Sequence, residues 1–168
     1  GLRAVWANNI YGVTLGQALG LAVHGGFGLN VVNTEALRTY EESGLSSIAV
    51  SFELAMAKIL DLGGTIPRGV LSYGHLPLMH FRNCPVQAAI GCAACGGNGE
   101  LVDRKQITFP VECGETRFST LLNSVPLDIA GRNIARLDYQ ILYFTRENAE
   151  DVSTITKRFQ QGQAADAP

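Results

Sequence analysis

The chain has 168 residues, of which 46% are hydrophobic and 17% charged, and its formal net charge is −2. That length is enough for one domain with a sizeable core, while the weak negative charge provides no general attraction for nucleic acid or anionic membranes. No apolar run reaches the length of a membrane-spanning helix, about 20 residues, so we expect no membrane partner and a cytoplasmic location.

Strands and helices are predicted in alternation along the first half of the chain. The apolar spacing indicates a strand at 2–7, a helix over 13–19, a broken strand or a strand plus a turn at 21–32, a helix from 33 to about 43, a strand at 47–52, a helix over 54–62 and a strand at 68–73. Asn33 or Thr34 is expected to cap the second helix, which stops at Gly44. Leu15, Ala18 and Leu19 share one face of the first helix.

The second half of the chain is less regular. We predict a small hairpin arm over 101–111, a strand or a strand and turn at 121–129, a strand at 137–144, a helix over 147–159 and a tail or linker at 160–168. Repeated strand–helix alternation favours parallel β/α units over a sandwich or a bundle. A complete (β/α)₈ barrel has about 250 residues. The predicted fold class is therefore α/β, a partial TIM-like barrel at 1–159 with a cysteine-rich hairpin arm, whose remaining units lie elsewhere on a parent chain.

All four cysteines lie in one glycine-rich segment, 80–113. Seven residues separate Cys84 from Cys92, two separate Cys92 from Cys95, and seventeen separate Cys95 from Cys113. A C-x-x-C pair on a glycine-rich turn can place two sulfurs on one ion, and the other two cysteines would complete a four-thiolate set. Such a set suits zinc or a [4Fe–4S] cluster, and the spacing does not separate them. Two disulfides or four unconnected buried thiols are the alternatives.

Polar residues near the predicted carboxyl ends of strands are further candidates, because functional groups of parallel barrels gather there. The predicted catalytic residues are Glu53 and His80, and the predicted substrate-binding residues are Asn33, Arg82 and Arg104. His80 could alternatively support the cysteine site as an outer partner. For all five, an ordinary role at a helix start, a helix cap or a solvated loop is the alternative.

Two signatures of proteolytic enzymes are absent from the sequence, the nucleophile elbow and the zinc-protease helix. A zinc ion held by three cysteines and a water would be an open Lewis-acid site, whereas a four-thiolate zinc would be closed and structural. The residues themselves therefore favour a metal or cluster site more than any mechanism of proteolysis.

Eight short blocks occur in a fixed order along the chain. They are GLNVVN at 28–33, VSFEL at 50–54, LPLM at 76–79, NCP at 83–85, DRK at 103–105, FPV at 109–111, LNSVPL at 122–127 and FTRE at 144–147. Together they resemble the collagenase-like peptidase family (U-32 peptidases) over nearly the whole chain from about residue 28 to 159. The resemblance implies the later β/α units of a TIM-like barrel.

Members of that family are named peptidases, whereas others are iron–sulfur proteins that hydroxylate bases of ribosomal or transfer RNA or serve quinone biosynthesis. Cysteines of those members bind a [4Fe–4S] cluster, and Cys84 in the NCP block is the position that corresponds best. Cys92, Cys95 and Cys113 resemble the cysteines of a bacterial subgroup, although their spacing differs from that of other cluster-binding members.

The function implied by the resemblance is that of a peptide hydrolase with a four-cysteine metal or iron–sulfur site. The alternatives are an iron–sulfur-dependent hydroxylase of RNA bases and a non-catalytic structural zinc domain. The charged fraction of 17% is below the usual value of about a quarter. We therefore expect the remainder of the parent barrel or a second copy of the chain to cover part of the surface. The resemblance implies peptide or RNA as the substrate.

Overall fold

The structure, a computed structural model, describes residues 1–114, 118–132, 134 and 137–164. In chain order its elements are β1 (Ala4–Ala7), α1 (Ile10–Ala18), β2 (Ala22–Gly25), a 3-10 turn (Phe27–Leu29), α2 (Thr34–Glu42), β3 (Ser47–Ala49), α3 (Met56–Leu60), β4 (Arg68–Gly74), β5 (Pro77–Phe81), α4 (Pro85–Ile90), α5 (Cys92–Cys95), β6 (Asn98–Val102), β7 (Thr108–Cys113), β8 (Ser119–Leu122), β9 (Leu127–Asp128), β10 (Tyr139–Tyr143) and α6 (Ala149–Gln160). None of these helices combines the length and the hydrophobicity needed to cross a membrane, as far as the described residues go.

The chain divides into two compact units. The first unit comprises 1–72, 130–142 and the residues from 158 onward, and the second comprises 73–129 and 143–157. Tyr73 and Gly74 at the end of β4 and Tyr143 at the end of β10 therefore belong to the second unit.

The first unit is built from consecutive β/α steps. Strands β1 to β4 are parallel neighbours in chain order, and β10 follows β4 at the end of this sheet. Its core includes Leu37 of α2 and Ile48 of β3, which have no exposed surface, together with the bridged pair Val31 and Val50. The α/β class and the parallel units are confirmed. The strands of the described residues form an open sheet and do not close into a barrel.

Helix α2 begins and ends where the sequence indicates. The Asn33 side chain accepts a hydrogen bond from the Ala36 N–H at 2.8 Å, which satisfies one of the free amides of the first turn. Gly44 follows the helix with φ of 81°, a left-handed conformation that glycine adopts without strain. Both predicted helix signals are therefore confirmed.

Helix α1 begins before its predicted start and does not bury its large apolar residues. It begins at Ile10 because the Asn9 side chain caps it by accepting from the Gly12 N–H at 2.8 Å. Leu15 and Leu19 share an apolar face in the sequence but are 44% and 64% exposed. The helix instead packs through Gly16, where a Cβ would lie 2.5 Å from a Val5 methyl carbon. The face of α1 that packs on the sheet is therefore the one where Gly16 has no side chain, and not the one that carries the leucines.

The second unit contains a four-stranded antiparallel sheet in the order β5-β8-β7-β6. The predicted hairpin arm is confirmed as β6 and β7, with Leu101 opposite Phe109. Strand β5 and helices α4 and α5 were not predicted. The C-x-x-C pair consequently lies on a short helix, not on a glycine-rich turn, and the glycines with positive φ flank it at Gly91, Gly96 and Gly97.

The last predicted elements are confirmed with shifted ends. The predicted strand at 121–129 is two short strands, β8 and β9, and the strand at 137–144 is β10. Helix α6 begins at Ala149, not at Glu147, because the Asn148 side chain caps it by accepting from the Glu150 and Asp151 N–H groups at 2.9 and 3.0 Å. Of the predicted tail at 160–168, Gln160 ends α6 and residues 165–168 lie outside the described residues.

Candidate metal or cluster site

The antiparallel sheet brings Cys84 and Cys113 together from distant parts of the chain. Cys113 is the last residue of β7, and Cys84 follows the end of β5 by three residues. Both strands pair with β8, and the register places Phe81 and Cys113 on either side of Ser119. The strand between them therefore fixes the ends of β5 and β7 next to each other.

Cys92 and Cys95 are presented by the short helix α5. Residues three apart lie on the same side of a helix, so both thiols are offered in one direction. The preceding helix α4 packs closely on β6, because a Cβ at Gly99 would lie 2.8 Å from a Val86 methyl carbon. The glycine on the strand permits the close approach that brings α4 and α5 to the sheet.

All four cysteines line one cavity of about 680 Å³ in the second unit. Arg82, Phe118 and Ser119 are among the other residues that line it. The thiols are free, without disulfides, so the two-disulfide alternative is not the state of this structure. The structure thus places all four thiols at the same cavity.

The electrostatics of the thiols couple them to one another. Backbone hydrogen bonding from Gln87, followed by the neighbouring Ser119 hydroxyl, lowers the pKa of Cys84 and favours its thiolate. Burial, followed by the negative charges of Cys84, Cys95 and Cys92, raises the pKa of Cys113. Four thiolates in one cavity repel each other, and a bound cation or cationic cluster would relieve that repulsion.

The thiols surround the cavity and do not meet at a point. Among the described residues, no three His, Cys, Asp or Glu side chains lie close enough together to hold one metal ion. A tetrahedral zinc with Zn–S bonds of about 2.3 Å requires sulfurs roughly 3.8 Å apart. In a four-iron cluster each thiolate binds a different iron, so the sulfurs stand farther apart around a larger body. The soft thiolate donors suit both.

Ser119 contributes a buried hydroxyl to the same cavity. The residue is 1% exposed, and its Oγ has no hydrogen-bond partner among the described residues. The hydroxyl lies beside the Cys84 thiol and lowers its pKa. It therefore favours the thiolate form of that cysteine.

The structure brings Arg82 to the cysteines but not the other predicted residues of the second unit. His80 is exposed on β5, and its Nδ1 lies 3.0 Å from Oγ1 of Thr120, the cross-strand partner. Arg104 is exposed at the turn between β6 and β7. Neither residue lines the four-thiol cavity.

Asn33 and Glu53 are the predicted site residues of the first unit. Asn33 caps α2, which accounts for its position without a substrate. Glu53 is exposed, and its backbone N–H donates to Ser51 Oγ at 3.3 Å. The described contacts give neither residue a catalytic neighbour, so both roles stay predictions.

A second cavity of about 420 Å³ was missed by the sequence analysis. It is lined by Gly97, Glu112, Cys113, Thr145, Arg146 and Glu147, so it shares Gly97 and Cys113 with the four-thiol cavity. Although burial by itself raises the pKa of Glu147, hydrogen bonds from the Thr145 and Arg146 N–H groups and from Tyr73 outweigh it and lower that pKa. The sequence held no signal for this cavity, because its lining combines common residue types from separate parts of the chain.

Comparison of the chain with models of protein families, with curated proteins and with solved structures gives no match. The resemblance to the collagenase-like peptidase family therefore rests on the sequence blocks alone. What the chain does has to be argued from its own geometry.

Proposed function

We propose that Cys84, Cys92, Cys95 and Cys113 bind a [4Fe–4S] cluster and that the protein is an iron–sulfur enzyme that hydroxylates a base in RNA. The observation that carries the proposal is the convergence of all four thiols on one cavity of about 680 Å³. The parallel β/α steps of the first unit support the partial TIM-like barrel that the resemblance to the collagenase-like peptidase family implies.

The cluster is preferred to a single zinc ion because of a charged neighbour of the thiols. The thiols line the cavity from a strand end, a helix start and a short helix, and such soft donors suit either ligand. Arg82 lines the cavity and supplies a positive charge that would offset the negative charge of a thiolate-bound cluster. When bound, a cluster would supply electron transfer, and hydroxylation of a base C–H bond would also require an external two-electron oxidant that provides the oxygen atom.

RNA is favoured as substrate by two side chains at this cavity. Phe118 is 52% exposed although it is large and apolar, and it lines the cavity together with Arg82. Proteins that bind single-stranded RNA stack bases on exposed aromatic rings and on guanidinium groups. These two residues would hold nucleotides next to the cluster, without requiring a large basic surface.

Peptide hydrolysis, the first function implied by the resemblance, has weaker support. The lowered pKa of Cys84 suits a nucleophile, but a nucleophile also needs a base within hydrogen-bond reach. His80, the nearest predicted base in sequence, is engaged with Thr120 and is not among the described lining residues. Cys84 therefore has no acid–base partner in the described residues of the cavity.

Metal analysis of Cys84→Ala tests the proposal. Wild-type protein purified without oxygen should contain about four irons and four acid-labile sulfides per chain, whereas Cys84→Ala should lose most of both. Thr108→Ala, at the other end of β7 from Cys113, serves as the matched control and should keep them. Stoichiometric zinc without sulfide would contradict the cluster and support the structural zinc domain.

The RNA assignment is tested separately by mass spectrometry of RNA from cells that carry each variant. A hydroxylated base should be present with the wild type and with Thr108→Ala, and should be missing with Cys84→Ala. The same RNA modifications in all three strains would contradict the enzymatic part of the proposal while leaving the cluster unaffected.

A further inference from the structure

The second cavity has the size and position of a substrate site. Its volume of about 420 Å³ lies within the range of small-molecule sites, about 300–1,000 Å³. It adjoins the four-thiol cavity, since Cys113 and Gly97 line both. A ligand held there would lie directly beside one of the proposed cluster ligands.

Hydrogen bonds hold the Glu147 carboxylate of this cavity in place. Its Oε2 accepts from the Thr145 N–H at 2.8 Å and from the Arg146 N–H at 3.0 Å, and its Oε1 accepts from the Tyr73 hydroxyl at 3.1 Å. Each carboxylate oxygen can accept further bonds. The group is therefore a fixed acceptor with capacity left for a ligand.

Three other groups complete the polar lining. Glu112 on β7 is a second carboxylate, and Arg146 adds a guanidinium. The Thr145 Oγ1 is buried and has no hydrogen-bond partner among the described residues, which is uncommon for a buried hydroxyl. The cavity thus offers fixed acceptors, a charged donor and an unpaired hydroxyl side by side.

This combination fits the edge of a nucleobase. Carboxylates accept from the amino and imino N–H groups of bases, and guanidinium groups donate to their carbonyl and ring nitrogen acceptors. Enzymes that modify a base take it out of the stack and read its pairing edge in a pocket. We propose that the second cavity binds the pairing edge of an unstacked RNA base through Glu112, Arg146, Glu147 and Thr145. This inference rests on the proposed function of the adjoining four-thiol site.

Nucleotide binding to matched variants tests the site. The four ribonucleoside 5′-monophosphates are titrated by calorimetry into the full chain, purified and handled without oxygen, with iron and sulfide measured for every sample. Glu112→Gln and Arg146→Gln should each weaken the best-bound nucleotide by about tenfold or more, the usual discrimination of such a contact. Glu100→Gln and Lys105→Gln, exposed residues of the same hairpin that line neither cavity, should bind as the wild type.

The outcomes separate this inference from the proposed function. Equal nucleotide affinity in all five proteins, with cluster and RNA modification intact, would overturn the cavity assignment alone. Missing cluster and unmodified RNA would overturn the proposed function, while selective loss of nucleotide binding in the two cavity variants would still support the base site. Binding of the peptide amide N-acetyl-glycyl-glycinamide, sensitive to the same two substitutions and without nucleotide binding, would overturn the nucleobase and indicate a peptide.

Discussion

The two compact units differ in what fills their interiors. Among the described residues, the first unit buries most of the apolar core, including Leu37, Ile48 and Leu71, whereas the second buries chiefly Tyr73, Val86, Val111 and Leu122. A small unit with few buried apolar side chains is marginally stable on its own and generally needs a metal or disulfides. We therefore expect the proposed ligand of the four thiols to stabilise the second unit.

Removal of the ligand of the thiols should therefore affect the two units unequally. With a chelator under anaerobic conditions, amides of the β6–β7 hairpin should exchange about tenfold faster or more, because metal binding to thiolates contributes directly to folding free energy. Amides of β2 and β3 should change little. Hydrogen exchange measured by mass spectrometry checks this, with Cys84→Ala as the control that should already exchange fast without chelator. Equal acceleration of amide exchange in both units would contradict a ligand that stabilises the second unit in particular.

Truncation of the core should show the converse dependence in the first unit. Leu37→Ala should lower the free energy of unfolding by about 2–5 kcal/mol, since the side chain is fully buried. Leu15→Ala, the same change on an exposed residue, should stay within about 0.5 kcal/mol. Fluorescence of Trp6, the single tryptophan, reports urea unfolding of this unit through its edge contact with Tyr139. Similar losses for both variants would contradict the contact face assigned to α1.

The smallest expected effect is the pH dependence of the Glu147 cluster. Because the folded pKa lies below the ordinary value of 4.5, the carboxylate stabilises the second unit above that pH, and the contribution is lost as the pH falls through the folded pKa. The amide shifts of Thr145 and Arg146, whose N–H groups donate to this carboxylate, should titrate by NMR with a midpoint below 4.5. The transition should disappear in Glu147→Gln and persist in Glu150→Gln. A midpoint above 4.5 would refute it.

Features of the fold that depend on residues close together in the sequence were predicted, whereas features that depend on tertiary contacts were not. Asn33 and Gly44 act within a few residues, so the limits of α2 were correctly predicted. The buried face of α1 depends on how closely Val5 approaches Gly16, which the spacing of apolar residues in the helix does not contain. The hairpin β6–β7 was visible because its strands are adjacent in the chain, whereas the insertion of β8 beside β5 pairs residues about 40 positions apart.

The same distinction applies to the candidate sites. Four cysteines in one segment predicted their convergence, because the residue type itself is rare and chemically specific. The second cavity combines Glu112 with the 145–147 segment, common residue types from separate parts of the chain. Only the tertiary structure places them together, so sequence patterns alone gave no reason to select them.

The strand order of the second sheet also sets when the four-thiol site can form during synthesis. Strand β8 lies between β5 and β7, yet it is the last of the four to leave the ribosome. Until residues 119–122 have been made and inserted, nothing fixes the Cys84 and Cys113 ends of the neighbouring strands side by side. The β6–β7 hairpin can form before β8 is made, while Cys113 is not yet held beside Cys84. Delivery of the proposed cluster must therefore follow completion of this strand, and the cysteines have to stay reduced in the nascent chain until then.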